Sequence, residues 1–165
     1  VPDWNRILDE FGPAVWKTAL RMLGNESDAA DCLQTVMLEA FEVSQRQSVR
    51  NWPALLKQMT TVRALDMLRS RYRHAARQLP DVEPHDPTAT QVSEQIDNRD
   101  LAEHLRREIS RLPPDQAEAF SLRWIDGLSN REIALMMEIT ASHVGVLIHR
   151  ARATLRHRLS RNDEE

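Results

Sequence analysis

A chain of 165 residues with a net charge of −3 has room for one domain or two small ones, and its four Trp and three Phe give each small domain few large anchors. No stretch approaches the roughly 20 apolar residues that span a bilayer, and the start "VPDWNRILDE" lacks the basic flank and apolar core of a signal peptide. The single cysteine, Cys32, rules out an internal disulfide and a multi-cysteine zinc site, and it suits a reducing cytoplasm as a small packing residue.

No segment alternates with period two for long, so the chain reads as all helical. Trp4, Ile7, Leu8 and Phe11 share one face of a first helix, which Gly12-Pro13 is expected to interrupt or bend. Trp16, Ala19, Leu20 and Leu23 repeat the spacing, and Gly24 is a natural C-terminal stop. Asn25 caps the next helix, with Asp28 in its first turn. That helix buries Ala29, Leu33, Val36, Met37 and Ala40, and shows Asp28, Asp31, Thr35, Leu38, Glu39 and Glu42 on its other side. Asn51 caps a third helix with Pro53 in its first turn, and Trp52, Leu55, Leu56, Met59 and Val62 make its stripe. The β-branched run Thr60-Thr61-Val62 weakens the helix locally. Beyond it, Arg63, Arg69, Arg71, Arg73 and Arg77 face a single acid, Asp66.

Residues 78–100, "QLPDVEPHDPTATQVSEQIDNRD", hold three prolines and set six acids against Arg99, so they read as a flexible acidic linker. Leu101, Leu105, Ile109 and Leu112 resume the helical stripe, and Pro113-Pro114 ends it and pre-sets the next helix. "SNRE" fits a capping box between Ser129 and Glu132, and Leu128 with Ile133 fits a hydrophobic staple. The helix so started is short, running to Met137. After "EITAS", Thr140 caps a second one with Val144, Ile148, Ala151 and Leu155 on its inner side. Its outer side offers Ser142, Val146 and His149 beside Arg150, Arg152 and Arg156, with no acid from Thr140 to Asn162. Two short helices joined by a tight turn, the second one basic, are the sequence form of a helix-turn-helix. An ordinary exposed helix mixes both signs, so the acid-free run points to a polyanion.

Two separate stretches carry a resemblance. "LGNESDAADCLQTVMLEAF" followed by "LLKQMTTVRALDMLRSRYR" resembles the polymerase-binding and promoter-melting domain of extracytoplasmic-function (ECF) sigma factors of the sigma-70 family. "LPPDQAEAFSLRWIDGLSNREIALMMEITASHVGVLIHRARATLRHRL" resembles their C-terminal helix-turn-helix domain. The resemblance implies an all-α fold of two small helical domains, residues 1–77 and 101–165, joined by the acidic linker. It implies a cytoplasmic, non-enzymatic subunit that directs core RNA polymerase to promoter DNA, with no cofactor or metal, and a dedicated anti-sigma factor is typical of such proteins. It places Asp31, Gln34, Leu38 and Phe41 on the helix that meets the polymerase clamp. Arg63, Asp66, Arg69, Arg71 and Arg73 fall on the helix that bears on −10 DNA. "EVSQRQSVRN" takes the place of the loop for the flipped −10 base, and Ser142, His143, Val146, His149, Arg150 and Arg152 lie on the helix aimed at the −35 major groove.

The chain departs from the family pattern in places. Glu138 stands where the turn usually has glycine, and Gly145 and Leu147 stand where Lys and Arg are frequent. The usual Trp and Asn of the third helix are Leu55 and Val62. Fewer long donors remain for base edges, so direct reading of the −35 element is expected to be sparse. A stand-alone helix-turn-helix regulator is the main rival, and it differs in needing no polymerase. An enzyme is disfavoured: the six histidines form no His-Glu-x-x-His or Glu-x-x-His pair, Cys32 has no evident base, and no glycine-rich phosphate loop occurs.

Overall fold

The computed structural model describes residues 2–78 and 94–162. Among these residues are seven helices and no strand: α1 (Trp4–Leu23), α2 (Glu26–Arg46), α3 (Trp52–Gln78), α4 (Glu94–Ser110), α5 (Pro114–Trp124), α6 (Asn130–Met137) and α7 (Ala141–Asn162). The boundaries follow local chemistry. The Asn25 side chain accepts from the Asp28 N–H at 2.8 Å, and Asn51 accepts from Ala54 at 3.0 Å. Gly24 takes the left-handed conformation at φ 77°, and its N–H reaches the Leu20 carbonyl, closing α1. Ser129 and Glu132 form the reciprocal capping box, and Leu128 and Ile133 are buried in one cluster. The Thr140 hydroxyl accepts from the His143 N–H.

Three sequence expectations change. α1 is not interrupted at Gly12-Pro13, and the proline ring is exposed. A proline on the wet side of a helix deletes one hydrogen bond without burying the orphaned carbonyl. α3 is likewise continuous through the threonines: the Thr60 hydroxyl donates back to the Leu56 carbonyl at 2.6 Å. α4 starts at Glu94, within the expected linker; residues 79–93 lie outside the described residues.

α1, α2 and α3 pack on one another, and α5, α6 and α7 form the helix-turn-helix half, with its own cluster around Leu122, Ile133, Val144 and Leu147. The larger cluster does not stop at the first half. It runs from Val36, Leu56 and Leu65 through Met22 and Leu68 to Ile109, Leu112, Ala151 and Leu155. The two halves therefore dock, with α3 against α4, α5 and α6. Such docking adds buried apolar surface that each small half lacks alone. Glu108, buried on α4, ties that helix to α7 by accepting from Arg158 at 3.5 Å, and it accepts from nearby Arg111 at 2.8 Å.

Candidate nucleic-acid and protein interfaces

The outer face of α2 is open. Asp31 and Gln34 are exposed, Leu38 is 60% exposed and Phe41 is 42% exposed, whereas Ala29, Cys32, Val36 and Ala40 on the opposite side are buried. Helical spacing sets Asp31, Gln34, Leu38 and Phe41 along one strip. Phe41 is held edge-on against Trp4, at 5.1 Å between ring centroids, and Trp4 in turn meets Trp52 at 5.4 Å. The strip runs from polar Asp31 and Gln34 to the exposed apolar pair Leu38 and Phe41, a mixture that suits a protein-binding patch. Cys32 lies beneath it, and burial pushes its thiol up to about 11, so it stays protonated and inert at neutral pH.

The arginine run on α3 behaves differently from its appearance in the sequence. Arg63 lies 4.0 Å from Glu39, and Arg69 pairs with Asp66 at 3.2 Å. Arg73 is exposed, its Nε bonded to the Arg69 carbonyl at 3.4 Å. Arg71 turns inward: its guanidinium donates to the Leu23 carbonyl, which needs a partner at the end of α1, and to the Asp28 carboxylate. The Asn25 amide, and then Arg71, hold the Asp28 carboxyl below its usual range. Arg71 thus pins α1, α2 and α3 together through one of its terminal nitrogens. Between α2 and α3, Ser44, Gln45, Gln47, Ser48, Val49 and Trp52 line an open cleft of about 510 Å³.

On α7, Ser142, His143, Val146, His149, Arg150 and Arg152 all face solvent, with Val146 44% exposed. Arg150 and Arg156 have no ion pair among the described residues, and the Arg152 guanidinium sits 5.5 Å over the exposed Trp124 ring. Two departures from the family pattern acquire a physical content. Leu147 is buried in the helix-turn-helix cluster, so a cation there would point inward. Glu138 takes the left-handed conformation, at φ 56° and ψ 40°, that glycine accepts without strain.

Residues 7–74 match the family described as Sigma-70 region 2, and residues 102–155 match Sigma-70, region 4. The chain belongs to the sigma-70 family. Within it, the chain is of the ECF type. It is 31% identical over 167 aligned positions to the ECF RNA polymerase sigma factor SigE of Mycolicibacterium smegmatis, an alignment that takes in 100% of this chain and 65% of that relative. The chain thus spans about two thirds of that relative's length. The sigma factor RpoE of Bartonella quintana, solved in complex with the anti-sigma factor NepR, superposes with a TM-score of 0.55 at 19% identity, covering 97% of this chain and 98% of that one. At that identity the likeness concerns the fold. In this sigma-70 chain the two arginine runs fall in different matched regions. Among the described residues no single helix is long and apolar enough to cross a membrane.

Sequence reasoning did not find the residues that join the halves. The Asp126 carboxylate accepts from the Thr18 hydroxyl at 2.9 Å and from the Thr61 hydroxyl at 3.3 Å. Arg106 donates to the Met22 and Arg21 carbonyls, and Arg21 donates to the Ile125 carbonyl. Gln58 donates to Glu118 and to the Met136 carbonyl, and the Tyr72 hydroxyl donates to Glu103 at 2.6 Å. Burial pushes the Glu118 carboxyl up, partly offset by the Gln58 amide. The one available signal was a β-branched pair of threonines inside a helix, whose hydroxyls need partners once buried.

Proposed function

We propose that this chain is a dissociable subunit of bacterial RNA polymerase that directs the core enzyme to promoters. It carries out no chemistry itself, and it works in the cytoplasm, where core polymerase and DNA are found. Residues 1–77 serve as sigma domain 2 and residues 101–165 as sigma domain 4. Leu38 and Phe41, flanked by Asp31 and Gln34, form the contact with the polymerase clamp, because an exposed apolar centre with a polar rim gains most from burial by a partner. Arg63, Asp66, Arg69 and Arg73 face −10 DNA, and the cleft beside Trp52 takes a flipped base. Arg71 is assigned first to the frame of the domain, since one of its terminal nitrogens binds both the Leu23 carbonyl and Asp28. On α7, Arg150 and Arg152 grip phosphates while Ser142, Val146 and His149 face the −35 bases; valine suits a thymine methyl. By analogy with RpoE, a protein inhibitor that binds this chain is proposed on the same footing.

The observation that carries the reading is that one chain matches both sigma regions in family order while presenting both the apolar strip on α2 and the basic face of α7 to solvent. Run-off transcription tests it. Core polymerase with this protein should give a promoter-specific transcript that core polymerase alone does not. Tight, sequence-specific DNA binding by the isolated protein at physiological salt, with no effect on core polymerase, would instead establish the stand-alone regulator.

A further inference from the structure

Trp124 is 57% exposed and belongs to neither buried cluster. An indole left in water forgoes the stabilisation that burial would bring, so its place asks for a reason. Trp124 closes α5, and its ring is placed from two sides. Phe120, one turn earlier, lies 6.2 Å away between ring centroids, and the turn that follows is pinned by Arg123 donating to the Leu128 carbonyl at 3.0 Å. Over the ring, 5.5 Å from its centroid, sits the Arg152 guanidinium of α7. Among the described residues that contact is what holds Arg152, which has no ion pair and no side-chain hydrogen bond. α7 does not hold it from within either. The positions three and four residues away are Ile148, His149, Leu155 and Arg156, none of them an acid.

How an arginine is held decides what it can still bind. A carboxylate holds the guanidinium by its N–H groups and offsets its charge, as Asp66 does for Arg69. An indole attracts the cation through the face of the ring, without an acceptor atom, so the N–H donors and the charge remain for another partner. The contact also restricts a long side chain before any ligand arrives, which lowers the ordering cost of binding. On an exposed, acid-free helix face the ligand that matches a free guanidinium fork is a phosphate. We propose that Trp124 is a positioning residue for DNA binding: its indole pre-sets Arg152 as a phosphate clamp at the side of the α7 face and leaves the charge of that clamp intact. This rests on the reading of Arg152 as a phosphate contact. An exposed tryptophan can also anchor a protein partner, and DNA offered without polymerase separates the two uses.

The test is binding of the full chain to a DNA duplex of random sequence at low salt, read by fluorescence anisotropy, for wild type, Trp124→Phe and Trp124→Leu, each with and without Arg152→Ala. Phenylalanine keeps an aromatic face, whereas leucine keeps apolar bulk and removes the face; Trp124→Gln, which also lacks it, replaces Trp124→Leu if the latter aggregates. All forms should keep the wild-type helix content by circular dichroism. Trp124→Leu should bind about threefold more weakly than wild type, and Trp124→Phe should lose less than about twofold. Arg152→Ala should reduce the slope of log affinity against log salt by about one, whereas Trp124→Leu should leave the slope unchanged because the cation is still present. In the Arg152→Ala background, Trp124→Leu should have no further effect. A Trp124→Leu chain that binds DNA like wild type overturns the proposal, and so does an equal loss in both backgrounds, which would make the ring itself the DNA contact. Weaker binding to core polymerase with DNA binding intact overturns it in favour of a protein anchor. Absence of wild-type binding at low salt, or an Arg152→Ala chain that matches wild type in affinity and slope, removes the phosphate contact and the proposal with it. The expected pattern on DNA, from a chain that gives no promoter-specific transcript with core polymerase, upholds the clamp and refutes the sigma reading instead.

Discussion

The arginine runs on α3 and α7 look alike as text, and the fold uses them in opposite ways. On α3 the cations are largely answered from within: Arg71 by Leu23 and Asp28, Arg69 by Asp66, and Arg63 by Glu39 at a longer distance. On α7, Arg158 pairs with Glu108, but Arg150 and Arg156 stand without an ion pair among the described residues, and Arg152 lies over an indole. Neighbouring acceptors therefore decide how much of a basic stretch is left for DNA: Arg71 is drawn into the frame, whereas Arg73 on the same helix stays exposed. α3 lies in the middle of its half, where the open end of α1 and the first turn of α2 offer them. α7 has one face on the core and the other on solvent.

The sharpest way to break this contrast is to remove one arginine from each run. Arg71→Ala should destabilise the fold by about 3 kcal/mol, because it takes away two charge-assisted hydrogen bonds and leaves a helix-end carbonyl and Asp28 without their partner. Arg150→Ala should leave the denaturant midpoint within about 0.5 kcal/mol of wild type. Equal effects on stability would erase the distinction. The same site sets an acid limit. The folded-state pKa of Asp28 is lowered, so its contribution is complete above the unfolded carboxylate pKa and is lost as pH falls through the folded one. In Arg71→Ala the loss of stability between neutral and acid pH should be shallower than in wild type.

A smaller effect separates the roles within α7. His149→Ala should reorder the affinities of the holoenzyme for −35 variants by about 2 kcal/mol at one base pair, if that ring reads a base edge. Arg152→Ala should weaken all variants alike and reduce the salt dependence, as a lost phosphate contact does. An unchanged ranking in His149→Ala would assign selectivity to DNA shape. The smallest effect concerns the backbone of the same helix. A Cβ at Gly145 would meet nothing closer than the Asn130 amide at 3.8 Å, an ordinary contact. Gly145→Ala should thus raise stability by about 1 kcal/mol in a denaturant melt, with loss of stability showing that the turn before it is tighter than the geometry indicates.

What was legible in the sequence was local. Asn25, Asn51, Ser129 and Thr140 cap where their chemistry says, and the phase of α2 follows from its apolar spacing, which sets Leu38 on the wet side. What was not legible depends on neighbours distant in sequence. The inward turn of Arg71 requires the end of α1, and the burial of Leu147 requires the packing of α5 and α6. The hydrogen bonds of Thr18 and Thr61 to Asp126 join residues more than 60 positions apart, which no periodicity reports. That Pro13 does not interrupt α1 was not legible for a related reason: its cost depends on whether its side of α1 is dry, and that is a property of the fold.

The strip on α2 carries the claim that this chain works through a polymerase, and Leu38→Asp addresses it most directly. Leu38 makes no part of either buried cluster, so the variant should melt within a few degrees of wild type by circular dichroism. Its affinity for core RNA polymerase should fall by at least about 2 kcal/mol, since a carboxylate would be buried at the centre of the contact. A folded Leu38→Asp protein that binds core polymerase as tightly as wild type would contradict the account.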